Sequence, residues 1–223
     1  ESIDGINRLG ESLVDNLAEL HGVPTDLEAL QKLGRPDGFV ERQIERWLSV
    51  RKEHGVRDLP ELFALGEWLG RNVPPPSAPA VIHGDYHLDN TLASKDHPEI
   101  LAIIDWELAT VGDCYLDVAL MLMFWGDYRT QDPPAFSALQ AVSRRSGVLS
   151  RRELAGRWAE KLGRPLHHMN FYMAFAFWRL AAIIEGAYGL HIAGKLNSDY
   201  ARGLEHDVPA LLAEAQSAAA GDW

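Results

Sequence analysis

The segment from Val81 to Glu107, VIHGDYHLDNTLASKDHPEILAIIDWE, constrains this chain more than any other stretch. It contains two short aliphatic runs of β character. Ala80-Val81-Ile82 leads into His83-Gly84-Asp85 and then Asn90, and Ile100-Leu101-Ala102-Ile103-Ile104 leads into Asp105-Trp106-Glu107. A carboxylate set directly after buried aliphatics is costly unless it has a partner, a proton or a metal. Two carboxylates and an amide converging from neighbouring strands supply the oxygen donors that Mg²⁺ takes, with water and substrate phosphates completing its octahedron. The pattern therefore predicts a phosphate-handling site centred on Asp85, Asn90 and Asp105.

The same residues carry a family resemblance. HGDYHLDN followed by IDWE resembles the catalytic core of the aminoglycoside phosphotransferases, small-molecule relatives of the protein kinases. Gly112-Asp-Cys-Tyr-Leu-Asp117-Val-Ala119 is similar to that family's GDPxxDLA, with Cys114 in place of the Pro. In protein kinases a catalytic-loop Asp serves as base and an Asn five positions on holds Mg²⁺; Asp85 and Asn90 have that spacing. The resemblance implies Asp85 as base, Asn90 and Asp105 as magnesium ligands, ATP or another nucleoside triphosphate as donor, and a small-molecule hydroxyl as acceptor. It further implies that His83 packs beneath the catalytic loop and that Asp117 holds the loop backbone. His87 would brace Asp85 or donate to phosphate. By position alone, Asp117 lies in the first turn of a helix, where a carboxylate suits the positive dipole end, and Asp113 is an N-cap. Glu107 either supports metal or substrate, or caps the following loop. Asp127, Tyr128, Tyr172 and Arg179 are weaker candidates for contact with substrate. Relatives act on antibiotics, choline-like amines, sugars and other hydroxyl compounds, and some are fused to acyl-CoA dehydrogenases, so the acceptor stays unnamed.

Composition sets the outer bounds. At 223 residues with 47% hydrophobic content the chain can bury a sizeable core. A formal charge of −11 argues against a nucleic-acid or anionic-membrane partner. Cys114 is the single cysteine, which excludes an internal disulfide and fits a reducing cytoplasm. No signal peptide is evident, and no uninterrupted apolar run nears the roughly 20 residues that span a bilayer.

Taken in order, residues 2–21 read as a helix with Ile6, Leu9, Leu13, Leu17 and Leu20 on one face, ended by Gly22 and Pro24. A short helix is expected over Leu27–Leu33, another over Phe39–His54, and a fourth over Leu59–Leu69, capped by Asp58 with Pro60 in its first turn. The stretch from Val73 to Pro79 is a stiff connector. Beyond the motif, helices are expected from Asp113 to about Phe124 and over 135–146, 150–162, 166–188 and 198–216. Ser150 and Glu153 form a capping box. The tail 218–222 reads as frayed.

The expected class is thus α+β, mostly α: a protein-kinase-like C-lobe with a helical part (1–72), a small β hairpin carrying the catalytic loop (80–112), and a second helical part (113–216). Helices between 24 and 60 and between 120 and 200 would form the acceptor pocket. None of the five lysines falls on a strand before the motif, and no strand-rich N-lobe is legible there. The chain reads as the C-lobe of a longer protein whose N-terminal lobe is its partner, with low activity expected for the chain alone. Two other readings stay open. One is a non-catalytic kinase-like binding module. The other is a metal-dependent hydrolase using His83, Asp85 and His87 as an HxDxH cluster. The near-Walker stretch Gly189–Leu196 is set aside, because it ends in Leu and follows a helical pattern rather than a strand.

Overall fold

The computed structural model describes every residue except Glu1, Gln31, Ala135, Ser137, Ala138 and Gln140. The chain forms two compact units, each assembled from three separate segments. The first comprises residues 1–39, 75–127 and 140–169; the second comprises 40–74, 128–139 and 170–223.

The first unit carries the motif. Helix α1 (Ile3–His21) starts at Ser2, whose hydroxyl accepts from Gly5 N–H, and buries Ile6, Leu9, Leu13, Val14 and Leu17. That stripe packs on α5 (Arg151–Leu162), whose N-terminus has the expected reciprocal bonds of Ser150 and Glu153. The two helices are also clamped at their surface. Asp15 accepts from Arg157 Nε at 2.7 Å and from Lys161 Nζ at 2.6 Å. Helix α4 (Tyr115–Phe124) is buried along its whole length, and Arg151 Nε satisfies the Leu122 and Trp125 carbonyls at its C-terminal end. Gly10 allows Trp125 to lie against α1, since a Cβ there would sit 2.7 Å from the indole.

The strands depart from expectation. A single hairpin does not carry both acidic groups. Strand β1 (Ala80–Ile82) pairs antiparallel with β4 (Thr110–Gly112), while β2 (Thr91–Ala93) pairs with β3 (Ile100–Ile103). The runs that feed Asp85 and Asp105 therefore belong to different two-stranded sheets. Their ends are brought together by loop hydrogen bonds rather than by a shared ladder.

The second unit is helical: most of α2 (Phe39–His54), α3 (Pro60–Arg71), α6 (Met169–Ile192) and α7 (Asp199–Ala219). Helix α6 is its core. Trp178 Nε1 donates to the Leu62 carbonyl, and Glu185, buried on α6, takes Arg57 in a forked ion pair with a shortest distance of 2.5 Å. By length and composition α6 could cross a bilayer, which the sequence pattern did not signal, but 61% of its apolar window is buried inside the protein.

Other boundaries need correction. The described residues between Leu27 and Leu33 form turns, not a helix; Leu27 and Leu33 are both exposed, so no core holds that period. Asp58 does not cap α3, whose N-cap position is Leu59 without a side-chain bond. The expected helix over 135–146 falls partly outside the described residues, and Ala141–Arg144 is a 3₁₀ turn. The tail is not frayed. Trp223 is buried and its indole N–H donates to Asn170 Oδ1 at 3.0 Å, which holds the C-terminus of α7 in place.

Candidate active site

The segment that carries Asp85 leaves β1 through a sharp turn at Gly84, where φ is +84° and a Cβ would sit 2.5 Å from the Leu108 carbonyl oxygen. Only glycine meets both demands. Two backbone N–H groups of this turn are anchored by one buried carboxylate: Asp117 Oδ2 accepts from His83 N–H at 2.6 Å and Oδ1 from Gly84 N–H at 2.9 Å. Asp117 stands in the first turn of α4, so its helix position and its hold on the loop coexist. Asp113 is not the expected N-cap: that position is Cys114, without a side-chain bond, and Asp113, one residue earlier, accepts from Tyr115 N–H at 3.1 Å. On the other side, the Tyr86 hydroxyl donates to the Leu13 carbonyl of α1 at 2.7 Å, which pins the loop to the core.

His83 is fully buried and bonded at both ring nitrogens. Nε2–H donates to the Ile104 carbonyl at 2.8 Å, and Nδ1 accepts the Asp85 backbone N–H at 3.3 Å. The ring is thereby a fixed spacer between the two loops. Ile104 closes the circuit, since its own N–H donates to the Asn90 carbonyl at 3.0 Å. The residue preceding Asp105 is thus bonded to both His83 and Asn90.

The polar face is built on this frame. Asn90 Nδ2 donates to the Asp85 carbonyl at 2.7 Å and to Asp85 Oδ2 at 3.1 Å. This orientation commits the amide nitrogen and leaves the amide oxygen as acceptor. His87 lies between two carboxylates, with Nε2 3.8 Å from Asp85 Oδ2 and Nδ1 3.5 Å from Asp89 Oδ2, and its ring rests on Phe124. Asp105 has a left-handed backbone (φ 66°, ψ 56°) and is exposed, as is Glu107 in the 3₁₀ turn Trp106–Leu108. The burial cost anticipated from the flanking aliphatics does not arise: the Asp85 side chain is 40% exposed, and Ile104 is itself 39% exposed.

The other candidates divide between the two units. Asp127 is an exposed residue beyond the end of α4 in the first unit. Tyr128, Tyr172 and Arg179 belong to the second unit. Tyr128 packs near Phe177, Tyr172 is buried edge-on to Phe171, and Arg179 is half-buried on α6. Sequence reasoning passed over His21 and Trp158, two buried groups connected to Asp117; only the placement of a histidine in the last turn of an amphipathic helix marked the first of them.

The donor chemistry fits magnesium. It consists of exposed carboxylates and a freed amide oxygen, few enough to leave positions for water and phosphate. Among the described residues no group of three His, Cys, Asp or Glu side chains is arranged to hold a metal ion. A hydrolase built on His83, Asp85 and His87 loses its geometric basis, because His83 is spent on backbone bonds.

Comparison with known proteins gives the family and the fold. Residues 2–160 match the family model described as the phosphotransferase enzyme family, APH. The chain belongs to that family. A Ralstonia eutropha JMP134 protein, provisionally designated an aminoglycoside phosphotransferase, has 26% identity and a TM-score of 0.85 over 98% of this chain and 67% of its own. A spectinomycin phosphotransferase solved with ADP and spectinomycin shares the fold at 13% identity and a TM-score of 0.58, over 94% of this chain and 66% of its own. Human acyl-CoA dehydrogenase family member 11 is 30% identical over 189 residues, covering 83% of this chain and 24% of that protein. Mouse acyl-CoA dehydrogenase family member 10 is 29% identical over 187 residues, covering 82% and 17%. The chain spans a quarter or less of these curated relatives. Its fold is that of a kinase-like phosphotransferase, mostly helical with little sheet.

Proposed function

We propose that this APH-family chain serves an ATP- and Mg²⁺-dependent transfer of phosphate to a small-molecule hydroxyl. The observation that carries the reading is the closed circuit of hydrogen bonds through His83, Ile104 and Asn90, which fixes Asp85 and the start of Asp105 on one frame. In this scheme Asp85 orients the acceptor hydroxyl and takes its proton. The acceptor oxygen bonds to the γ-phosphorus as the bond to the β–γ bridging oxygen breaks, and ADP leaves. Asn90 Oδ1 and the Asp105 carboxylate would hold the ion, which when bound neutralises charge on the nucleotide phosphates. Asn90 also holds Asp85 in place through its amide nitrogen. His87 braces Asp85, and Glu107 is assigned to support of the metal or substrate.

We assign the strands that cover the nucleotide to another lobe of the same parent protein. Two features support this: the described residues before Ala80 contain no strand, and the Ralstonia protein is longer than the stretch this chain matches. The 223-residue chain alone is expected to turn over ATP slowly.

The test is nucleotide binding by calorimetry with and without Mg²⁺, followed by a screen of hydroxyl compounds for ADP release. Magnesium-dependent binding that Asp105→Asn abolishes, with turnover in the longer protein, supports the reading. Binding with no turnover against any acceptor would favour a non-catalytic module, and binding indifferent to Mg²⁺ and to Asp105→Asn would overturn it.

A further inference from the structure

Helix α2 turns an unusual stripe toward the interior of the second unit. Val40, Ile44, Trp47 and Arg51 recur at helical spacing, so its inward face begins with aliphatics and ends in an indole and a guanidinium. Arg51 is only 6% exposed. Its Nε and Nη1 are sealed from solvent and meet no acceptor among the described residues, and the same holds for the Trp47 indole N–H one turn earlier. Both groups can only donate. Burial pulls the Arg51 pKa down, against a smaller opposing pull from Glu185, but a guanidinium stays charged at neutral pH.

Glu185, the buried carboxylate of this region, is already committed. Arg57 holds it through Nε at 3.1 Å and Nη2 at 2.5 Å, lies over the Tyr188 ring at 4.3 Å, and donates from Nη1 to the Glu205 carbonyl at 2.8 Å. Two guanidiniums against one carboxylate leave the cluster with one positive charge in excess. Helix α6 is also cut back here. A Cβ at Gly186 would lie 3.1 Å from Arg51 Nη2 and 3.3 Å from Nη1, so the fork rests against bare helix backbone. A glycine inside a helix is destabilising, and a buried cation without a partner is more so. No hydrogen bond among the described residues offsets the second cost. Trp47 and Gly186 are half-buried rather than sealed, which leaves an edge of the cluster open to a small solute.

We propose that Arg51 and Trp47 form a binding site for the oxyanion group, a carboxylate or a phosphate, of a small molecule. Such a group supplies the acceptor oxygens that the fork and the indole lack, through charge-assisted bonds, and its charge neutralises the cluster. The single excess charge matches a carboxylate more closely than a doubly ionised phosphate. An amine-rich ligand would be repelled here. The site lies wholly within the second unit, and it stands or falls apart from the phosphotransfer reading.

The bland alternative is a guanidinium hydrated in place and balanced at a distance by Glu185. NMR titration of the full 223-residue chain separates the two, with sodium acetate and inorganic phosphate as probes and sodium chloride at matched ionic strength as control. The Arg51 Nε–H and Trp47 indole N–H signals should shift and saturate with acetate or phosphate and stay put in chloride. Tighter saturation by acetate assigns the site to carboxylates, and by phosphate to phosphate esters. Arg51→Met should weaken the Trp47 response about tenfold or more. Because it replaces an unpaired buried charge with an apolar chain, it should not lower the melting temperature in chloride, and it should abolish any extra rise that the probes give the wild type. Should Arg51→Met fail to fold, the wild-type titration decides alone. Wild-type signals that neither probe moves, or a Trp47 response of equal strength in Arg51→Met, overturn the proposal. Nucleotide binding is read separately, so its absence would count against phosphotransfer and leave this result untouched.

Discussion

Asp85 and Gly84 divide the labour of the loop between charge and backbone. Asp85→Asn keeps the bond network's shape and removes the proton acceptor of the proposed reaction. The expected outcome is a loss of turnover of about 10²–10⁴-fold with little change in melting temperature, checked by kinetics beside calorimetry. Gly84→Ala should do the reverse damage. With φ at +84° and the Leu108 carbonyl 2.5 Å from the added methyl, it should cost about 1–3 kcal/mol in denaturant unfolding. Cys114 offers a third single-residue check. Burial, reinforced by nearby Asp113, pushes its thiol up to about 11. Native protein at pH 7.5, roughly a chemist's usual alkylation condition, should resist iodoacetamide until denaturant is added. What the sequence disclosed at this scale was set by distance along the chain. Asp85 and Asn90 are five positions apart, and their pairing follows from a recognisable spacing. His21 and Asp117 are 96 positions apart, and nothing in either neighbourhood announces the other.

Helices with a buried stripe were the legible elements. The leucine period of α1, the extent of α2 and the start of α5 all followed from patterns that local physics enforces: amphipathicity, and a side chain that satisfies the first free N–H groups. The strands were less legible. Three-residue strands have no alternation long enough to reveal their partners, and the pairing of β1 with β4 rather than with β3 depends on contacts made after the chain returns. The Leu27–Leu33 period misled because periodicity without a surface to bury against confers nothing. Ser150→Ala should therefore remove about 1 kcal/mol from α5, measurable by thermal unfolding. The α1–α5 clamp predicts a pH effect. Burial tends to raise the Asp15 carboxyl, but the bonds from Arg157 and Lys161 outweigh it and leave it below its ordinary value. A depressed carboxyl contributes stability above its unfolded value, and the contribution is lost as pH falls through the folded one. The gap in melting temperature between wild type and Asp15→Asn should be largest near neutrality and should close as the solution becomes acidic below about pH 4.

For the molecule as a whole, each compact unit draws on segments far apart in the chain. A fragment ending at residue 127 would keep the whole catalytic motif yet lack α5, and with it Trp158, Arg157 and Lys161. It is expected to lack cooperative unfolding and dispersed amide resonances, a result read directly from one NMR spectrum. The sequence could not foretell this interleaving, because only the joint at 74/75 falls in a stretch it marks, the Pro-rich connector from Val73 to Pro79, whereas those at 39/40 and 169/170 fall within α2 and α6. The backbone at Asp105 has a reach of its own at this scale. Left-handed conformations are accepted readily by glycine, asparagine and aspartate and poorly by other residues. The substitutions that spare the hairpin are then those that also discharge it. Under the proposed function, a lineage bearing this fold could fall silent in a single step and remain soundly folded, so a well-behaved, stable protein of this shape is no guarantee of a working one, and residue 105 is the first place to look.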